Sequence, residues 1–246
     1  FGYCFNQPLS NFLNKLVSLT DLKFGHKFNQ PLSKLTFGYW FNKSYDLTLD
    51  NCFNEPLDNL TSLTHLTFGW QFNQPLGNCL DNSTSLTHLT FGDEFNQTLG
   101  NSLDKLTSLT HLTFGDDFNQ QLGNSLNNLI SLKSLTFHYF NQQLGSSLKN
   151  LSSLTHLTFG TFFNRPLDDS LDNLGSLTHL TFGAGFNQLL GNSLNNITSL
   201  ISLTFGNGFD QPLDNSLDNL TSLTHLTFGM FFNQPLKNSL DNLTSL

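Results

Sequence analysis

The sequence predicts a β-rich solenoid, a right-handed coil carrying one parallel sheet of short strands at about 23 residues per coil. Three observations predict it. A phrase that reads FNQTLGNSLDKLTSLTHLTFGDD from Phe95 to Asp117 returns with Phe-Asn (once Phe-Asp) at Phe72, Phe95, Phe118, Phe140, Phe163, Phe186, Phe209 and Phe232, in steps of 22 or 23 residues. A fixed period of this size marks stacked units that bury one continuous core. Within each unit a stretch such as His111-Leu112-Thr113-Phe114 alternates polar and apolar, the pattern of a half-buried strand. Finally, all seven prolines fall at one place in the unit: Pro8, Pro31, Pro56, Pro75, Pro166, Pro212 and Pro235.

Each unit opens on Phe-Asn. The Phe points into the core, and a stacked column of Asn amides can satisfy backbone groups that the turns leave unpaired. The proline three residues later fixes φ and ends strand pairing, so the chain leaves the sheet at that corner. Thr98, Gln121, Gln143 and Leu189 fill the same place, so the corner does not require proline. Leu126-Asn127-Asn128-Leu129 then continues a leucine at every third residue, which suits a turn of 3₁₀ or extended backbone on the outer side. The strand follows, with Leu112 and Phe114 on one face and His111 and Thr113 on the other. Stacked one per coil, such strands run parallel and about 4.8 Å apart.

Composition narrows the function classes. Only 11% of residues are charged, whereas Phe alone occurs 26 times, which excludes a disordered tract. A net charge of -8 and a pI near 5.2 argue against nucleic acid as partner. No apolar run approaches the roughly 20 residues of a membrane helix, and no leader peptide is visible. The chain begins and ends inside a unit, as a piece of a longer array would. Cys4, Cys52 and Cys79 are too few, and odd in number, for a disulfide framework. Sequons such as Asn59-Leu60-Thr61 and Asn219-Leu220-Thr221 recur because the repeat itself spells them, and copying accounts for them better than glycosylation.

Leu-x-x-Leu-x-Phe followed by a turn, on this period, resembles the leucine-rich-repeat superfamily, whose members are α/β solenoids. Leu-Thr-Phe-Gly-x-x-Phe-Asn-Gln-Pro-Leu is similar to the FNIP repeat of social amoebae and amoeba-infecting giant viruses. Here Gln usually stands where that name has Ile. The resemblance covers nearly the whole chain and implies a protein-binding module, intracellular or virion-associated rather than secreted. Members are often joined to an F-box, and this sequence contains no such segment.

The array is read as one solenoid over residues 1–246, irregular over 28–71. Phe28 to Phe53 are 25 residues apart and hold an extra Phe41-Asn42, whereas Phe53 to Phe72 are 19 apart. Two shortened coils, Phe28–Trp40 and Phe41–Cys52, are the preferred reading. One coil with a looped-out strand is the other.

Function, if it is written in this segment, lies where copies differ. The pair before each Phe-Asn varies most: Tyr39-Trp40, Trp70-Gln71, Asp93-Glu94, Asp116-Asp117, Thr161-Phe162, Ala184-Gly185 and Met230-Phe231. Placed along the rim of the strand face, these pairs give aromatic ends around an acidic middle. The candidate partner-binding residues are Tyr39, Trp40, Trp70, Asp93, Glu94, Asp116, Asp117, Phe162, Met230 and Phe231. A second feature is a column of strand-face histidines, His65, His88, His111, His156, His179 and His225, interrupted by Ser134 and Ser202. A metal or pH-switch role is disfavoured, because that face supplies no carboxylate or thiolate at matching spacing. The histidines also spoil the flat, uniform threonine array an ice-binding face needs. No nucleophile, base and orienting acid stand out from the repeat, and no phosphate loop or metal spacing appears, so neither an enzyme nor a cofactor is expected. A protein-interaction scaffold is the favoured function, its partner unnamed. The alternative is a structural or surface protein that self-associates end to end.

Overall fold

The computed structural model describes residues 1–9, 13, 16–30 and 60–246. Nine short strands build a single parallel sheet in chain order: β1 (Asp21–Lys23), β2 (His65–Thr67), β3 (His88–Thr90), β4 (His111–Thr113), β5 (Ser134–Phe137), β6 (His156–Phe159), β7 (His179–Phe182), β8 (Ser202–Thr204) and β9 (His225–Thr227). The period-two pattern is obeyed. Leu66, Leu89, Leu112, Leu135, Leu157, Leu180 and Leu203 face the core, while the flanking His or Ser and Thr face outward. Register follows the repeat, so His65, His88 and His111 lie side by side.

Two columns of phenylalanine fill the core beneath the sheet. The strand-end ring and the next coil-opening ring stack within a coil, as in Phe114–Phe118 at 4.0 Å. Each column also stacks coil on coil, at 5.3 Å for Phe91–Phe114 and 6.0 Å for Phe95–Phe118. A single unit has neither neighbour, which is why the fold exists only as an array.

The asparagine column does what its chemistry predicts. The Asn73 Oδ1 accepts the backbone N–H of Asn96 at 2.9 Å and the Gln97 Nε2 at 3.0 Å, and the pattern repeats along the array. Asp210 takes the same place and accepts from Asn233 N and Gln234 Nε2 through its carboxylate. Only the acceptor oxygen is needed, so Asp substitutes without loss of either bond.

On the outer side the backbone makes single i→i+3 bonds, Ser125 to Leu122, Asn127 to Asn124, Leu129 to Leu126 and Leu132 to Leu129. These are separate turns of 3₁₀ type rather than extended chain. From residue 77 onward each outer side starts with a residue at positive φ: Gly77, Gly100, Gly123, Gly145 and Gly191, replaced by Asp168, Asp214 and Lys237 in three coils.

β1 pairs directly with β2, Asp21 against His65, a step of 44 residues where every later step is 22 or 23. The core columns and the asparagine column follow it: Phe28 stacks on Phe72, and Asn73 N donates to Asn29 Oδ1. The irregular segment expected over 28–71, with its two shortened coils, falls largely on residues 31–59, which lie outside the described set, as do Tyr39 and Trp40. Among the described residues no helix is long and apolar enough to cross a membrane.

Candidate functional site

The outward positions of the nine strands form a surface of two columns. The first reads Asp21, His65, His88, His111, Ser134, His156, His179, Ser202, His225, and the second begins Lys23, Thr67, Thr90, Thr113. The sheet brings histidines from consecutive coils into face-to-face stacks. Ring centroids are 4.2 Å apart for His65–His88 and His88–His111, and 4.3 Å for His156–His179. Ser134 and Ser202 break the stack where the sequence places them.

Each ring is held from beneath. The Nδ1 of His88 lies 2.9 Å from the hydroxyl oxygen of Thr87, and the same contact recurs at His65, His111, His156, His179 and His225. The threonine preceding each histidine is present in the repeat, but its grip on the ring is invisible without the coil geometry. Among the described residues no group of three or more His, Cys, Asp or Glu is placed to hold a metal ion.

Partial burial holds His88 below its ordinary pKa of 6.5, and the neighbouring charges of His111 and His65 lower it further. His156 is lowered in the same way, by partial burial first and then by His179 and His111. Protonation therefore favours the unfolded chain. The contribution of these two groups is complete above the unfolded value of 6.5 and is lost as pH falls through their lowered folded values. The array is expected to denature at lower urea concentration at about pH 5 than at about pH 7.5. A His88→Gln/His156→Gln variant should show a smaller difference; an equal one would refute this source.

The described variable pairs follow directly on the strand ends, and backbone bonds join them from coil to coil. In five of the described pairs the second residue donates its backbone N–H to the first residue's carbonyl one coil back: Gln71 to His26 (3.0 Å), Glu94 to Trp70 (2.9 Å), Asp117 to Asp93 (2.7 Å), Gly185 to Thr161 (2.7 Å) and Phe231 to Asn207 (3.3 Å). The rim is thus a backbone ladder that holds whatever side chains it is given. Trp70 is 49% exposed, Phe162 55%, Met230 77% and Phe231 63%, large apolar surface left facing solvent.

The rim also recruits residues outside the variable pairs named above. Tyr3 stacks on His26 at 4.6 Å, and His26 packs against Trp70 at 4.5 Å, so the aromatic end of the rim is continuous over three rungs. Tyr139 packs on Phe162 at 4.6 Å. Each of these precedes a Phe-Asn at the same offset as the pairs already named, and that was the available signal. His138 occupies a strand-end glycine position, in the one coil that is 22 residues long, and its Nδ1 meets Asp116 Oδ1 at 3.1 Å. Asp93, Glu94, Asp116 and Asp117 form the acidic middle on two adjacent coils.

Residues 41–148 and 145–246 match the family model described as BspA type leucine rich repeat region, in six copies. Among curated protein sequences none matches. Among solved structures, an internalin (InlF) of Listeria monocytogenes superposes with a TM-score of 0.69 at 23% identity, covering 95% of this chain and 61% of that one. The circular leucine-rich-repeat protein CroV588 gives 0.58 at 31% identity, covering 96% of this chain and 41% of that one. The Toll–Spätzle complex of Drosophila gives 0.60 at 17% identity, covering 74% and 25%. The chain spans less than two thirds of the length of each.

Proposed function

Because the chain belongs to the BspA-type leucine-rich repeat family, we propose that it is a scaffold that holds a partner protein against its strand face and the variable rim beside it. Leucine-rich-repeat proteins generally serve as protein-interaction scaffolds. The observation that carries the reading is the rim: a hydrogen-bonded ladder presenting Trp70, Phe162, Met230 and Phe231 to solvent, with carboxylates between. Aromatic anchors on a rigid array dominate interface energies when a partner buries them. Tyr39 and Trp40 belong to the same proposal from sequence alone. We read the repeats as FNIP-type, of amoebal or giant-virus kind, on the recurring Leu-Thr-Phe-Gly-x-x-Phe-Asn-Gln-Pro-Leu.

These side chains support no core packing, so replacing them tests binding apart from folding. A Trp70→Ser/Phe162→Ser/Phe231→Ser variant is expected to keep its denaturation midpoint and to lose roughly 10-fold or more in affinity for a partner isolated with the intact chain. Unchanged affinity would reject the rim as the binding surface.

A further inference from the structure

The bonds beneath the histidine column bear on which ring nitrogen carries the proton. A threonine hydroxyl has one hydrogen. Thr64 donates it to the Thr20 carbonyl (3.0 Å), Thr87 to Thr64 (3.0 Å), Thr110 to Thr87 (2.9 Å), Thr155 to Lys133 (2.9 Å), Thr178 to Thr155 (3.0 Å) and Thr224 to Ile201 (3.3 Å). Each carbonyl also accepts two backbone N–H bonds, as Thr64 O does from Thr87 and His88. We assign the hydroxyl hydrogen to the carbonyl, so that each hydroxyl oxygen accepts from the neighbouring imidazole. On that assignment the donor is Nδ1–H in all six rings, and in the neutral ring Nε2 keeps a lone pair. The interplanar angles of 6–14° set these lone pairs nearly parallel, not converging. Adjacent rungs are thus poorly disposed to chelate one cation, whose two nitrogen donors would sit about 3.3 Å apart and aim at a common point. A row of parallel acceptors calls instead for a row of donors.

The rim supplies acceptors of a second kind on the same two coils. The coil of β3 carries His88 with Asp93 and Glu94, and the coil of β4 carries His111 with Asp116 and Asp117. From Leu86 to Phe95 and from Leu109 to Phe118 there is no lysine or arginine. Column and rim are five residues apart along the chain, at most about 16 Å at the rise of extended backbone, the reach of about five extended residues. Trp70, one coil before β3 on the rim, offers an exposed indole face beside the acids.

We propose that the face of β3 and β4, with His88, His111, Asp93, Glu94, Asp116 and Asp117, binds an extended arginine-rich segment of a partner protein, whose N–H donors meet both the imidazole Nε2 row and the carboxylates. This deepens the scaffold reading and rests on it. Arginine fits better than lysine because its planar fork engages a carboxylate through two bonds and stacks on indole or imidazole. Protonation at Nε2 leaves the threonine bond intact but turns the acceptor into a cationic donor, so acidification expels the segment. Among the described residues, the other titratable or charged groups around this surface are Asp21 and Lys23 on β1, His65 on β2, His26 and Lys27 on the rim, Lys133 before β5, His138, and His156 on β6.

The test uses the full chain and a labelled ten-residue peptide of alternating arginine and serine, read by fluorescence anisotropy at about 0.15 M salt. Binding is expected at about pH 7.5 and at least roughly 5-fold weaker at about pH 5. An Asp93→Asn/Glu94→Gln/Asp116→Asn/Asp117→Asn variant should lose roughly 10-fold or more. His88→Phe/His111→Phe, which keeps stacked rings but removes Nε2, should lose roughly 3-fold. Asp168→Asn/Asp169→Asn/Asp172→Asn, on the far side of the coil, should change affinity by less than about 2-fold despite a similar loss of charge. Nitrogen NMR of the imidazoles should show the Nδ1–H form for the column, and Thr87→Val should release that preference at His88 alone. A loss in the far-side variant as large as in the rim variant, an unchanged Phe pair, or an Nε2–H column would overturn the proposal. If the peptide fails while the Trp70→Ser/Phe162→Ser/Phe231→Ser variant still loses a captured partner, the arginine proposal falls and the scaffold stands. If neither responds, both fall.

Discussion

Gly115→Ala is expected to destabilise the array by roughly 3 kcal/mol, although it adds a single methyl group and its φ is ordinary. A Cβ on Gly115 would overlap the Gly92 carbonyl oxygen and the Asp93 Cα. Both atoms are backbone of the preceding coil, so no rotamer change relieves the overlap, and the coils must separate. The same crowding recurs at Gly69, Gly92, Gly160, Gly183, Gly206 and Gly229. Separation would also stretch the Asp117 to Asp93 rim bond of 2.7 Å, so the damage reaches the proposed binding edge. Gly100→Ala is the control. That site has nothing within 4 Å of an added Cβ but a φ of +51°, so its cost is left-handed strain alone, about 1 kcal/mol. Urea denaturation of the two variants decides it: a Gly115 effect no larger than the Gly100 effect would rule out coil-to-coil contact as the cause.

That strand-end glycine is visible in the sequence as a recurring letter, yet its reason lies between coils. The features readable from sequence were those a single unit dictates. Leu112 and Phe114 had to face inward because alternate residues of a strand do, and the Phe-Asn column had to register because the period is fixed. The outer side was less legible, since leucine at every third residue suits extended chain as well as separate turns of 3₁₀ type. The rim ladder was hidden for a different reason. Backbone N–H and C=O bond whatever side chain they carry, so Trp70, Asp93 and Ala184 look like drift while their main chains are held alike. The imidazole tautomer needed the carbonyl one coil back, which no local reading of Thr-His contains. The β1–β2 pairing turned on register: Phe41-Asn42 and Phe53-Asn54 both offer plausible unit starts, and the sequence does not say which coil reaches the sheet.

Phe118→Ala is expected to have a larger effect still, about 3–5 kcal/mol. The Phe118 side chain has no exposed surface, and it stacks on Phe114 (4.0 Å), Phe95 (6.0 Å) and Phe140 (6.2 Å), touching rings of its own and both adjacent coils. Truncation therefore removes transfer energy, leaves a cavity, and weakens two interfaces at once. In a globular core such a loss is shared by the whole molecule. Here the array is held by nearest-neighbour terms, so the loss is local and divides the solenoid at one place. Hydrogen exchange should quicken for β4 and β5 while β7 and β8 keep their protection, and thermal unfolding should broaden or split. Phe118→Leu, which retains most of the volume, should cost less than half as much. Uniformly accelerated exchange along all strands would show instead that the array unfolds as one cooperative unit. Because the coil of β4 also carries His111, Asp116 and Asp117, the split would release any partner bound there. Lost binding in a core variant thus carries no information about contacts, whereas lost binding in the exposed rim variants does.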